Sequence, residues 1–236
     1  MTSGGRVAAP HKVEPAMTVV NENVADEAAA FLSDGYLDDN SADVQRLSVA
    51  LYRLLAAGQP VALPALANAL EWEASRAEAV LRALPPSALE RDNHDNIIAF
   101  IGLSLKPTDH RIEVEGKTLH TWCVLDALFL PEILQKTVQV TTRCPATGAA
   151  VHVTLAPDRI VASDPEYAVM SIVAPDGKAY RDNLRGAFCN HVNFFADRAA
   201  FDEWANDRPG AASVPLADAH AMGRRRNAAR YPDVKM

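Results

Sequence analysis

Two of the three cysteines in this chain stand among residues that could do chemistry. Cys123 lies in Thr121-Trp-Cys-Val-Leu-Asp-Ala-Leu128, near the start of an expected helix, where unsatisfied amides and the helix dipole favour a thiolate. Asp126 follows three residues later and so shares a helical face with the thiol. A carboxylate beside a thiol can take its proton, hold it, and release it to a leaving group. The pair also fits a buried structural cysteine with an aspartate in the first helical turn, because cysteines are common in apolar cores. The residues alone leave both readings open.

Cys189 lies in Ala187-Phe-Cys-Asn-His-Val-Asn-Phe-Phe195. The alternation there predicts a strand with Cys189, His191, Asn193 and Phe195 on one face. A cysteine and a histidine two apart on such a face could ligate zinc together with Cys123 or Cys144. Structural zinc sites normally carry tight Cys-x₂₋₄-Cys pairs, however, and the chain has none. His191 reads as a hydrogen-bonded histidine of the core or of the site's surroundings. Cys144, in Arg143-Cys-Pro-Ala-Thr-Gly148, falls in a Pro/Gly turn and is expected to pack. No P-loop, dinucleotide glycine motif, G-x-S-x-G elbow or H-E-x-x-H helix occurs.

Composition narrows the setting for these thiols. The chain has 236 residues, 49% of them hydrophobic, enough for a sizeable core. Lys and Arg number 23 against 30 Asp and Glu, a net charge of −7 that disfavours non-specific binding to nucleic acid or anionic lipid. No apolar run approaches the ~20 residues of a membrane helix, so no membrane association is expected. Nothing at the N-terminus resembles a secretory signal. The expected compartment is therefore the cytoplasm, where thiols stay reduced.

The elements that must position these residues can be read along the chain. Residues 1 to 17 are rich in Gly, Ala and Pro and are expected to form a disordered arm, and a short helix is expected over residues 24 to 34. From Ser41, the residues Val44, Leu47, Leu51, Leu54 and Leu55 recur at helical spacing, and Gly58 follows them. Further helices are expected at Leu63 to Leu70 and Glu73 to Leu84, the last stopped by Pro85 and Pro86. Leu89 to Leu103 then reads as two strands around an Asp/Asn turn. Three helices and a hairpin give a winged-helix-like module over residues 41 to 105. Beyond it, Arg111 to Val114, Thr137 to Thr142, Ala150 to Leu155 and Tyr167 to Val173 predict an antiparallel sheet. Helices at Trp122 to Leu130 and Arg198 to Asn206 interrupt that sheet. Past Gly223 the chain carries Arg224, Arg225, Arg226 and Arg230, which read as a solvated basic tail over residues 224 to 236.

Taken together, Gly102-Leu-Ser-Leu105, Thr108-Asp-His110 and Leu119-His-Thr-Trp-Cys-Val-Leu-Asp-Ala-Leu-Phe-Leu-Pro131 resemble the alkylmercury (organomercurial) lyases. Cys144-Pro-Ala-Thr-Gly148, Phe188-Cys-Asn-His-Val-Asn-Phe-Phe195, Trp204 and Ala219-His-Ala-Met-Gly223 fit the same family. The resemblance runs from about Ser41 to Gly223 and leaves residues 1 to 40 as an extension outside it. It implies an α+β fold: a winged-helix-like three-helix domain (41 to 105) packed on a mixed α/β catalytic domain (106 to 223). It also implies that Cys123, Cys189 and Asp126 are catalytic and that Cys144 is structural. Some members carry a further cysteine directly after the second catalytic one; here that position is Asn190, which removes nothing the mechanism needs.

The implied substrate is a small organomercurial. Mercury(II) is soft and prefers thiolates, so both active-site cysteines are implied to bind it while Asp126 carries a proton to carbon. Product mercury(II) is then expected on Cys123, Cys189 and Asp126, without any resident cofactor. Low-molecular-weight thiols, and a mercuric reductase, are the implied acceptors.

A thiol-based winged-helix transcription regulator and a zinc-stabilised structural module are the alternatives from other classes. Between residues 41 and 105, five basic residues (Arg46, Arg53, Arg76, Arg82, Arg91) face seven acidic ones. A phosphate-binding face needs a basic excess. The module is therefore predicted to leave duplex DNA unshifted at physiological salt up to about micromolar protein, the regime where non-specific binding begins. Sub-micromolar binding in a salt-controlled shift assay contradicts this.

Overall fold

A computed structural model describes residues 24, 26–28, 30, 40–174 and 177–235. The arm expected over residues 1 to 17 lies outside the described residues. Of the short helix expected over 24 to 34, residues 24, 26–28 and 30 are described and helical. Val24 and Ala28 are buried there.

The three helices expected in the N-terminal module are present, at α1 (Ala42–Leu55), α2 (Leu63–Leu70) and α3 (Ala74–Ala83). Along α1, Val44, Leu47, Leu51 and Leu55 are all buried, one stripe at the i, i+3, i+4 spacing of a core-facing helix. The chain leaves α3 extended at Leu84, as the following Pro85 requires. The arginines of this module are engaged internally. Arg46 and Arg53 donate to the carbonyls of Leu70 and Ile133. Arg76 pairs with Asp43 and stacks over Trp72, while Arg82 and Arg91 pair with Glu78.

The hairpin that follows is β1 (Leu89–Arg91) and β2 (Ile97–Phe100), with the expected turn between them. It is continuous with the main sheet. β3 (Leu103–Ser104) joins β2 to β5 (Lys117–Thr121), and the sheet continues through β4 (His110–Val114), β6 (Val138–Arg143), β7 (Ala150–Leu155) and β8 (Ile160–Asp164). These eight strands run in the order β1-β2-β3-β5-β4-β6-β7-β8, and every pairing is antiparallel. The architecture is α+β with an antiparallel sheet, as expected. β5 and β8 had no expectation attached: β5 is short and half polar, and β8 is an exposed edge with little apolar alternation.

α4 (Val124–Leu134) is the helix expected at Trp122 to Leu130, begun two residues later and carried past Pro131. It is apolar on all sides, as a helix enclosed by protein must be. It packs against α1, β5 and β6. Its fourth wall is α8 (Leu216–Arg230). The two helices approach closely because Gly223 has no side chain: a Cβ there would stand 3.3 Å from backbone atoms of Leu128 and Phe129.

α8 also corrects the basic tail. The residues beyond Gly223 complete this helix, and Arg226 and Arg230 are only 4% and 3% exposed. Arg224 and Arg225 do face solvent. A small second sheet, β10 (Phe194–Phe195), β9 (Val169–Val173) and β11 (Ala211–Pro215), flanks α7 (Arg198–Ala205). Two further short helices, α5 (Gly177–Asp182) and α6 (Leu184–Ala187), precede the Cys189 segment.

Candidate active site

β5 delivers the chain to the site. The Trp122 amide donates to the Gly102 carbonyl at 2.8 Å, and Cys123 follows as the N-cap of α4. A capping box closes here. The Asp126 Oδ2 accepts the Cys123 backbone N–H at 2.8 Å, while the Cys123 sulfur accepts the Asp126 amide. The three-residue spacing thus satisfies two helix-end amides and places thiol and carboxylate together.

Cys189 arrives from a segment that is not the expected strand. It begins a 3₁₀ turn, Cys189–His191, directly after α6. The amides of His191 and Val192 bond back to Phe188 and Cys189, so they are not available for a sheet ladder. Only Phe194 and Phe195 pair, with Met170 and Val169. The segment is nevertheless tied to the start of α4, since Val124 N–H reaches the Val192 carbonyl at 3.4 Å. The turn separates Cys189 from His191, whose carbonyl instead accepts the Ser171 hydroxyl at 2.7 Å. A Cys–His zinc face does not form.

Among the described residues, the group that could hold a metal ion is Cys123, Asp126 and Cys189, whose ligand atoms all lie within 4.8 Å of one another. All three are buried, at 1%, 7% and 3% exposure. They surround a cavity of about 20 Å³, room for roughly one water. Its other walls include Ile101, Phe129, Phe188, Arg226 and Arg230.

Burial decides the protonation states. It raises Asp126 first, against hydrogen bonds from the Cys123 amide and thiol and the charges of Arg226 and Arg185, and the carboxyl ends at about 6. Burial pushes the Cys123 thiol well above its ordinary value, helped by a hydrogen bond to Cys189 and by the charge of Asp126. Cys189 is lowered by that same hydrogen bond but raised by burial and by Asp126, and lies above its ordinary value on balance. Both thiols are therefore neutral at rest. The helix N-terminus expected to favour a Cys123 thiolate is present, but desolvation outweighs it.

Cys144 sits in its Pro/Gly turn, away from this cluster, with Gly148 N–H closing the turn onto its carbonyl at 2.8 Å. It lines a separate cavity with His110, Thr142, Asn190, Asn193 and Trp204.

In the sequence Arg226 and Arg230 read as solvated tail and Ile101 has no role, yet all three wall the cavity. A signal for the arginines existed, since Leu216, Ala219, Met222, Arg226 and Arg230 recur every three or four residues along one helix. The guanidinium carbon of Arg226 lies 3.7 Å over the Phe129 ring, and its Nη1 donates to the Asn227 side chain at 3.0 Å.

Comparison with known proteins places this chain among relatives of one kind. Residues 103–226 match the family model of alkylmercury lyase, MerB. The alkylmercury lyase of Staphylococcus epidermidis is 36% identical over 207 residues, 88% of this chain and 93% of that protein. That of Pseudomonas putida is 40% identical over 177 residues, 75% of this chain and 81% of that protein. The crystal structure of the mercury-bound form of MerB2 shares the fold, with a TM-score of 0.69 at 23% identity over 86% of this chain and 98% of that one.

Proposed function

This chain belongs to the alkylmercury lyase family and is an organomercurial lyase, and from that premise we propose that it breaks the carbon–mercury bond by protonolysis between Cys123, Cys189 and Asp126. The observation that carries the reading is the buried triad itself, two thiols and a carboxyl within 4.8 Å. Thiolates are the preferred donors for soft mercury(II). The carboxyl, raised to about 6 by burial, both accepts and donates a proton near neutral pH.

Capture begins at Cys189, whose ionisation is favoured by the hydrogen bond from Cys123. Its thiol displaces the original mercury ligand, which leaves with the thiol proton, and a sulfur–mercury bond forms. Cys123 then passes its proton to Asp126, with which it is hydrogen-bonded, and its thiolate becomes the second sulfur donor. Donation from two sulfurs makes the organic carbon more basic. Asp126 gives its proton to that carbon, the carbon–mercury bond breaks, and the hydrocarbon leaves. Mercury(II) stays on the two sulfurs, with Asp126 in reach as a third ligand. Two external thiols then take the metal and return their protons to Cys123 and Cys189. A small thiol serves as acceptor, or the thiols of a mercuric reductase. The scheme draws on groups of the chain and on outside thiols, and assigns no resident cofactor. Such thiols belong to a reducing compartment such as the cytoplasm. No helix among the described residues is long and apolar enough to cross a membrane.

Serine is too hard a donor to replace either sulfur. Cys123→Ser and Cys189→Ser are therefore expected to abolish turnover, whereas Cys144→Ser is expected mainly to lower the melting temperature. Full hydrocarbon release by Cys189→Ser contradicts the two-sulfur scheme.

Asp126→Asn separates a proton carrier from a helix cap. The amide keeps the shape and still accepts the Cys123 N–H, but it cannot shuttle a proton. General acid–base groups contribute roughly 10²–10⁴-fold. The variant is expected to bind organomercurial through its cysteines and stall, so mass spectrometry finds an adduct that retains its organic group. Single-turnover release within a few fold of wild type assigns the proton to water or a thiol instead.

A further inference from the structure

We infer that Gly102, held in place by Tyr52, is the positioning residue that seats the Asp126 carboxyl, an inference that rests on the lyase reading above.

Gly102 has φ +97°, and a Cβ built on it would lie 2.3 Å from both Cγ and Oδ1 of Asp126 and 2.8 Å from its Cβ. Atoms cannot approach that closely, so the carboxyl occupies space that any side chain at residue 102 would fill. Asp126 is thus pressed against bare backbone on one side and fixed by the Cys123 N–H at 2.8 Å on the other. Together these contacts aim the acid at the sulfur pair.

The bare surface is presented by a strained turn. Ile101, immediately before, has φ +27°, a left-handed value that is an outlier for a β-branched residue. Such strain persists only where the surroundings over-determine it, and it concentrates at functional sites. Here three separate elements hold the turn. Ile101 N–H donates to Ala88, the Tyr52 hydroxyl donates to the Ile101 carbonyl, and Trp122 N–H donates to the Gly102 carbonyl, each at 2.8 Å. Tyr52 belongs to α1 and is fully buried, with its ring edge-on to Phe100 at 5.1 Å and to Phe129 at 6.0 Å. The N-terminal helices thereby reach the seat of the carboxyl through this hydroxyl, which also bonds Tyr231, in addition to the packing of α1 on α4. Tyr52 does not line the cavity, so its part is positioning.

Two variants test this, with wild type alongside, by steady-state hydrocarbon release, stoichiometric retention of mercury(II) and thermal melting. Gly102→Ala displaces the carboxyl while leaving both sulfurs, so kcat is expected to fall about 100-fold, the cost of misplacing a reacting group by ~1 Å. KM should stay within a few fold, and one mercury(II) per chain should still be retained. Tyr52→Phe removes only the hydroxyl and keeps the ring; kcat is expected to fall about tenfold, the share of one hydrogen bond, with the melting transition still cooperative. Parallel loss of turnover and mercury(II) retention in a folded variant indicates general damage to the site and overturns the inference. So does a kcat within twofold of wild type in either variant. If Gly102→Ala does not fold, Tyr52→Phe decides by the same criteria. A wild-type protein that retains mercury(II) but releases no hydrocarbon defeats the lyase reading, and the inference with it, a result separate from any difference between variants.

Discussion

The hydrogen bond from the Cys123 amide to Asp126 Oδ2, 2.8 Å long, is the interaction on which the site depends. It caps a helix that is buried all round, where an unsatisfied amide would cost about 1–3 kcal/mol. The same bond fixes a carboxyl beside the thiol of its own partner residue. Structure and chemistry therefore share one constraint. α4 needs a cap at its first turn, and an acidic residue three positions in supplies it. Because α1, α8 and the sheet enclose that helix, the cap lies in the core and not at the surface.

Burial then gives the pair its character. An exposed thiol at a helix start drifts toward thiolate and an exposed aspartate stays ionised. Enclosed here, both thiols hold their protons and the carboxyl is pushed up to about 6. Neutral groups tolerate a buried cavity better than charges do. The charge that appears when mercury binds is spread over two sulfurs and the metal. Hydrogen bonds from Cys123, and after them the charges of Arg226 and Arg185, temper the effect on Asp126, drawing its pKa back toward the ionised form so that a proton can be passed on.

How far this could be read in the sequence followed the range of the forces involved. The Cys123–Asp126 pair is local: a capping box brings the two together wherever the helix lies, so the spacing shows their proximity but not whether the pair is catalytic or structural. The helices of the N-terminal module were legible for the same reason, with Leu63–Leu70 placed to the residue. Cys189 was marked by its motif, but its backbone was misread. Apolar alternation over Phe188 to Phe195 imitates a strand, whereas the local amide bonds close a 3₁₀ turn. Gly102 stood in the family motif without a role, because its meaning lies in the contact with Asp126, twenty-four residues away in the chain. The arginines past Gly223 carry the pattern of solvated charge; only the packing of α8 on α4 turns Arg226 and Arg230 inward.

The most direct test of the account is hydrocarbon release by the wild-type chain in deuterium oxide. The protein is incubated with phenylmercury and excess small thiol, and the gas phase is analysed by mass spectrometry. A proton taken from an exchanged thiol and delivered by Asp126 predicts benzene carrying one deuterium, formed over many turnovers and matched by equimolar mercury(II) on the added thiol. Phenylmercury that stays bound intact, or benzene no faster than from thiol alone, contradicts it.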